Sequence, residues 1–145
     1  MPSWIEQGVA EYIKRIPRGV TLKLVELNSG DRGKGGSPQS AREAEAKLII
    51  DKLKDIDRVI ALDEKGKGFS TKKLASFLDE LQMQSMSLAF IIGGPDGLSE
   101  QVLQRGNLVW SLSEMTFPHA LVRVILVEQI YRALMVNANH PYHRE

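Results

Sequence analysis

The sequence predicts an α/β protein, a mainly parallel β-sheet flanked by helices, within a single domain spanning residues 1–145. Two observations carry that reading. Strand-like apolar runs alternate with stretches of helical periodicity along most of the chain, and the run Leu88-Ala89-Phe90-Ile91-Ile92 has no polar break, as in a strand buried on both faces. Length and composition agree with it: 145 residues, 43% hydrophobic and 26% charged, suffice for one substantial core.

The elements can be taken in order. Ser3 with Glu6 reads as a capping box for a first helix, with Ile5, Val9, Tyr12, Ile13 and Ile16 at helical spacing and Pro17 as the stop. Val20, Leu22, Leu24 and Val25 read as a strand. Residues 28–40, NSGDRGKGGSPQS, form a long loop by their glycines and prolines. A helix with Ala44, Leu48 and Ile49 inward leads to the strand Val59-Ile60-Ala61-Leu62. The loop DEKGKGFS ends on Ser70, an N-cap for a helix carrying Leu74, Phe77, Leu78 and Leu81 on one stripe. After the Leu88 strand comes GGPDG, then a short helix from about Ser99 to Gly106, a strand from Leu108 to Leu112, and a long helix from His119 to about Asn137. Leu121, Val122, Val124, Ile125, Leu126, Val127, Ile130, Leu134 and Val136 make that last helix apolar nearly all round. Such a helix is buried on several sides. In a chain of this size one side is expected to meet a second subunit, the alternative being a central core helix.

Several function classes are excluded or left without support. A net charge of +1 gives no global basic field, so any nucleic-acid surface must be local: Arg32 and Lys34 in the first long loop, or Lys65, Lys67, Lys72 and Lys73 around the second. The absence of cysteine rules out disulfides and thiolate metal sites and suits a reducing cytoplasm. The N-terminal MPSWIEQGVAEYIKR, with Glu6 and Glu11 and no apolar core, does not read as a secretory leader. No apolar run approaches the ~18 residues of a membrane span. A zinc site is not expected, because Pro141 interrupts the spacing of His140 and His143, and His119 is the only other imidazole.

In open parallel sheets ligands bind beyond the carboxyl ends of the strands. Three such ends stand out: Asp63 after Leu62, Gly93-Gly94-Pro95-Asp96-Gly97 after Ile92, and Ser111-Leu112-Ser113-Glu114-Met115-Thr116-Phe117-Pro118 after Trp110. GGPDG matches neither phosphate-binding pattern, GxxxxGK[ST] nor GxGxxG, and is equally good turn chemistry. Its glycines would let a backbone approach a ligand closely.

Taken together, FIIGGPDGLS (residues 90–99), WSLS and MTFPH (residues 110–113 and 115–119), LVR with EQIYRA on the last helix, and the closing NHPYHRE resemble the ribosomal RNA large subunit methyltransferase H family of the SPOUT superfamily, over essentially the whole chain. That family carries about a dozen further residues, including a first β-strand, ahead of the position of Met1. The resemblance implies a SPOUT-type α/β fold with a C-terminal trefoil knot, lacking that first strand here, a homodimer, S-adenosylmethionine as methyl donor without a metal, and methylation of N3 of a pseudouridine in the helix 69 loop of 23S rRNA on the assembled ribosome. It further implies cofactor contacts at Leu62, Gly93, Leu112, Ser113, Glu114, Met115, Thr116 and Phe117. Gly93→Val is accordingly expected to block the pocket and leave much of the fold intact.

A sulfonium donor is already activated, so alignment matters more than acid catalysis of the leaving group. The N3 imide must lose its proton, and its flanking carbonyls gain negative charge. His143 is the base best matched by intrinsic pKa, Arg144 a holder of the developing anion or a phosphate, and Tyr142 a stacking or hydrogen-bonding partner of the base. The resemblance puts this tail beside the cofactor and leaves the individual roles open. His119 reads equally as a helix-start residue shaping the cofactor loop or as a direct participant. Glu128 is expected to pair across subunits, with Arg123 and Arg132 divided between ion pairing and RNA contact. The alternative to an enzyme is a non-catalytic RNA- or nucleotide-binding module using the same basic loops.

Overall fold

Four consecutive apolar residues, Val59, Ile60, Ala61 and Leu62, form the buried beginning of the central strand of a three-stranded parallel sheet. The structure, a computed structural model, describes residues 2–27, 38–93 and 97–138. Its elements run α1 (Ser3–Arg15), α2 (Pro38–Lys52), β1 (Arg58–Gly68), α3 (Thr71–Met83), β2 (Leu88–Ile92), α4 (Glu100–Arg105), β3 (Leu108–Ser111) and α5 (His119–Asn137). They fall into two compact units, one of Met1–Leu24, Phe69–Ser85 and Phe117–Glu145, the other of Val25–Gly68 and Met86–Thr116.

The second unit holds the sheet, in strand order β2-β1-β3. Val59 and Ala61 of β1 face a cluster of Ala46, Ile49, Leu53, Ile91, Leu98 and Val102, so helices α2 and α4 cover one side. Ile60 and Leu62 point the other way, by strand alternation, and are buried too. The amino ends of the strands are fastened by side chains. Asn107 donates its N–H to the Val59 carbonyl (2.8 Å) and accepts the Val59 N–H on Oδ1 (2.7 Å). Asp57 Oδ2 accepts both the backbone N–H (2.8 Å) and the hydroxyl (3.1 Å) of Ser87, whose Oγ accepts the Asp57 N–H (3.0 Å).

In the helical unit α5 packs against both α1 and α3. Ile5 and Val9 of α1 meet Val127 of α5, with Leu22, Ala120 and Val124 around them. Gly8 lies against Val124, at a distance where an added Cβ would make ordinary contact (3.4 Å). Toward α3, Gln129 Oε1 accepts the Thr71 hydroxyl (2.6 Å) and Asn137 Nδ2 donates to the Ala75 carbonyl (2.9 Å). Fully buried Ala133 lies between those two on the same stripe of the helix.

Several sequence expectations hold. Ser70 caps α3 by accepting the Lys73 N–H (3.0 Å), Ser99 caps α4, and α5 begins and ends where its pattern indicates. Others are corrected. Pro2 rather than Ser3 is the N-cap of α1, and it has no side chain able to cap. In α2 Ala46 and Ile49 face inward, followed by Leu53 just past the helix end, while Leu48 is 43% exposed. Val20, Leu22, Leu24 and Val25 form no strand. Leu22 instead joins the α1–α5 cluster and Leu27 the sheet cluster, so this alternation serves two cores rather than a ladder. Within its own helix Glu128 pairs with Arg132, its carboxylate accepting the Arg132 Nε–H (2.9 Å).

The largest difference lies after Leu62. The sequence suggests a loop from Asp63, yet β1 continues to Gly68 with a break in register: Leu62 and Lys67 both pair with Trp110. Residues 63–66 leave the ladder and return to it. The Asp63 carboxylate turns the chain by accepting the Lys65 N–H (3.0 Å). Gly66 closes the excursion against β3, where a Cβ would stand 2.6 Å from the Val109 carbonyl oxygen.

Two expectations follow from these contacts. Gly66→Ala should lower stability by about 1–3 kcal/mol, because the obstructing atoms are backbone, and denaturant unfolding measures it. The Asp57 carboxyl is held below its ordinary value of 3.8 by the Ser87 backbone N–H first and the Ser87 hydroxyl second. A carboxyl with a depressed folded pKa contributes stability in full above its unfolded value and loses that contribution as pH falls through the folded one. The stability gap between wild type and Asp57→Asn should therefore close as pH drops below 3.8. A gap that stays constant through acid would show that this latch contributes nothing.

Candidate active site

The register of the sheet brings the three singled-out strand ends to one level. Leu62 of β1 pairs with Ile92 of β2 on one side and with Trp110 of β3 on the other. Gly93 follows Ile92 directly, and Leu112 follows Ser111, the last residue of β3. Leu62, where the ladder of β1 breaks, thus stands level with Ile92 and Trp110, and Gly93 and Leu112 follow at the edge where open α/β sheets bind ligands. Parallel pairing points these ends the same way, and the register brings them level.

Each end has its own local reason. Leu62 is the last buried residue of β1, the point at which the strand stops being core and starts its excursion. Gly93 is required for steric reasons within the chain itself. A Cβ there would lie 2.9 Å from the Gly97 carbonyl carbon and 3.0 Å from Leu98 Cγ. Gly97, at φ +76, takes the left-handed conformation that glycine adopts freely. Gly97 and Leu98 therefore lie close against Gly93. This revises the expectation for Gly93→Val, which would displace the chain's own backbone and not merely fill a ligand pocket.

The third end is held by a relay of hydrogen bonds. The buried Ser111 hydroxyl donates to the Ser113 carbonyl (2.8 Å), and the Ser113 hydroxyl accepts the Met115 N–H (3.0 Å). The Thr116 hydroxyl donates to Glu64 Oε2 in the β1 excursion at 3.4 Å, a longer and exposed bond. Leu112 and Ser113 are half-buried, Glu114 and Thr116 exposed, and Met115 projects with 68% of its surface open. Phe117, the next residue, opens the helical unit, where Pro118 caps α5 and half-buried His119 is its first residue.

Of the residues expected from the sequence, Leu62, Gly93, Leu112, Ser113, Glu114, Met115 and Thr116 are thus at or next to the carboxyl edge of one sheet. Tyr142, His143 and Arg144, with His140, lie outside the described residues, as do Arg32 and Lys34. Lys65 is exposed on the β1 excursion, Lys67 where the strand rejoins the ladder, and Lys72 and Lys73 on the first turn of α3. Among the described residues no group of three or more His, Cys, Asp or Glu is arranged to hold a metal ion. Sequence reasoning named Ser111 as part of the third strand end but not as a site residue, and missed Glu64 and Gly66. A serine closing a strand otherwise made of Leu108, Val109 and Trp110 was a readable signal for the first; the other two depend on a chain reversal that no periodicity reveals.

Gly93→Ala is expected to lower stability by about 1–3 kcal/mol. Thermal unfolding without any ligand measures this, and an unchanged midpoint would mean that Gly97 and Leu98 give way freely.

Comparison with known proteins agrees with this geometry. A family model described as "Predicted SPOUT methyltransferase" matches residues 1–143. The ribosomal RNA large subunit methyltransferase H of Hydrogenovibrio crunogenus is 47% identical over 145 residues, covering 100% of this chain and 93% of the relative. The proteins of the same name from Hahella chejuensis (44% over 145 residues, 100% and 93%) and Legionella pneumophila (47% over 144 residues, 99% and 92%) are equally similar over their lengths. The chain belongs to the SPOUT methyltransferase family, within its ribosomal RNA large subunit methyltransferase H group.

Proposed function

We propose that this chain is a cytoplasmic S-adenosylmethionine-dependent rRNA methyltransferase that modifies N3 of a pseudouridine in the helix 69 loop of 23S rRNA, acting as a homodimer on the assembled ribosome. The observation that carries the reading is the levelling of Leu62 with Ile92 and Trp110, which brings Gly93 and Leu112 to the same sheet edge, in a chain of this family. The single-domain organisation and the C-terminal trefoil knot implied by the family resemblance belong to the same proposal.

The residues at that edge fit the cofactor chemically. Leu62, Leu112 and Met115 offer apolar surface to an adenine and a thioether-like chain, while peptide groups at three strand ends offer donors and acceptors. No lysine or arginine occurs from Leu112 through Thr116, where a phosphate would call for one, and the exposed carboxylates of Glu64 and Glu114 suit a ligand that is cationic. When bound, S-adenosylmethionine supplies an electrophilic methyl on a sulfonium leaving group. The chain's own task is to orient the acceptor, exclude water and remove the imide proton.

For the last of these we assign the tail. His143 is the base, by its intrinsic pKa near neutrality; Arg144 stabilises the charge that spreads over the imide carbonyls; Tyr142 holds the target base. Lys65, exposed on the excursion beside Leu62, and Lys67, exposed where the strand rejoins the ladder, are suited to phosphates of the RNA.

The test is methyl transfer from radiolabelled S-adenosylmethionine to ribosomes, with mass mapping of the modified nucleotide. The intact chain should methylate one pseudouridine. His143→Ala should lose on the order of 100-fold or more in rate, and a chain ending at Asn139 should be inactive. Equal activity of the shortened chain would remove the tail from the chemistry. RNA binding without transfer by the intact chain would favour a non-catalytic binding module.

A further inference from the structure

We infer that Ser111 is a positioning residue for the cofactor-binding segment: its buried hydroxyl holds residues 112–116 in their binding shape from below, without touching the cofactor. The inference rests on the function proposed above and deepens it.

Ser111 is the one buried polar residue among the described residues, at 7% exposure. Burying a hydroxyl is costly unless it is hydrogen-bonded, and an alanine or valine would end β3 with no such requirement. The bond this hydroxyl makes does not support the sheet. It reaches two residues forward, to the Ser113 carbonyl at 2.8 Å, just where the chain leaves the ladder. Ser113 passes the constraint on, since its own hydroxyl accepts the Met115 N–H at 3.0 Å. Two serines therefore fix the peptides of residues 113–115 in a closed turn. The outer fastening, Thr116 to Glu64, is longer at 3.4 Å and exposed, so it is the weaker of the two anchors.

A segment that binds through its peptide groups needs those groups aimed before the ligand arrives. Otherwise the ordering cost falls on the binding step and weakens affinity. The Ser111 bond removes that cost at the root of the segment. Its loss should therefore appear in affinity and in local opening, and only modestly in global stability.

The experiment compares wild type, Ser111→Ala and Ser111→Thr in three readouts. These are the calorimetric Kd for S-adenosylmethionine, hydrogen exchange at the Met115 amide in ligand-free protein, and the melting temperature. Ser111→Ala should raise Kd about five- to tenfold, the loss of one directed hydrogen bond, and should speed Met115 exchange. Ser111→Thr, which keeps the hydroxyl, should recover most of both. Ser113→Ala removes only the second bond and is read through Met115 exchange alone, because Ser113 is itself an expected cofactor contact. If Ser111→Ala fails to fold, Ser111→Cys, whose thiol is a weaker donor, takes its place in all three readouts. Unchanged Kd in the folded Ser111→Ala or Ser111→Cys variant would overturn the inference. So would a loss that threonine does not rescue and that merely follows the melting temperature. Wild type that binds no S-adenosylmethionine would overturn the proposed function and this inference with it. Wild type that binds, with a folded Ser111→Ala or Ser111→Cys variant that binds equally, would overturn the inference alone.

Discussion

The parallel pairing of β1 with a neighbour on each side is the constraint on which the rest depends. A middle strand has both rows of its peptide groups committed, so its register cannot slide without breaking two ladders together. Here that register is set twice more at the amino end, by Asn107 on Val59 and by the Asp57–Ser87 exchange. With the starts fixed and the strands parallel, the finishing points are fixed as well. Leu62, Ile92 and Trp110 stand level because the chain was aligned at the opposite end of the sheet.

The proposed site then needs little from its side chains. If backbone at the strand ends holds the ligand, as proposed, side chains serve to keep that backbone in place or to stay out of its way. Gly93 and Gly66 belong to the second kind, each facing main-chain atoms at a separation no Cβ tolerates. Ser111 and Ser113 belong to the first. On that proposal the cofactor region can consist of glycine, leucine, serine and threonine beside Glu114, without a lysine signature.

Much of this was legible in the sequence, and unevenly so. Features set by local chemistry could be read directly: the serine caps of α3 and α4, the unbroken apolar run of β2 and its end, and the span of α5. Features that depend on which surface is presented to a chain segment far away could not. Leu48 and Ile49 are equally apolar, and only the approach of the sheet selects Ile49. The alternation of Val20, Leu22 and Leu24 suits a strand, but a strand exists only where an edge is there to pair with it. Glu128 looked like a charge needing a partner, and found one a single turn along at Arg132. The helix α5 was legible as buried on several sides, and α1 and α3 account for two of them. The family resemblance supplied what no periodicity contains, an expected ligand and an expected place for the tail.

The double use of Trp110 has a consequence for how this protein can vary. Because Leu62 and Lys67 share one pairing partner, residues 63–66 form a handle whose two feet stand on the same spot of β3. Lengthening or recharging the handle leaves the alignment on either side unaltered, provided that Gly66 keeps its place against Val109. The excursion is therefore a module that selection can rewrite independently of the sheet. It adjoins Leu62 at one end and reaches Thr116 through Glu64. Properties such as charge at the rim of the site can thus evolve while the geometry of the strand ends stays as it is.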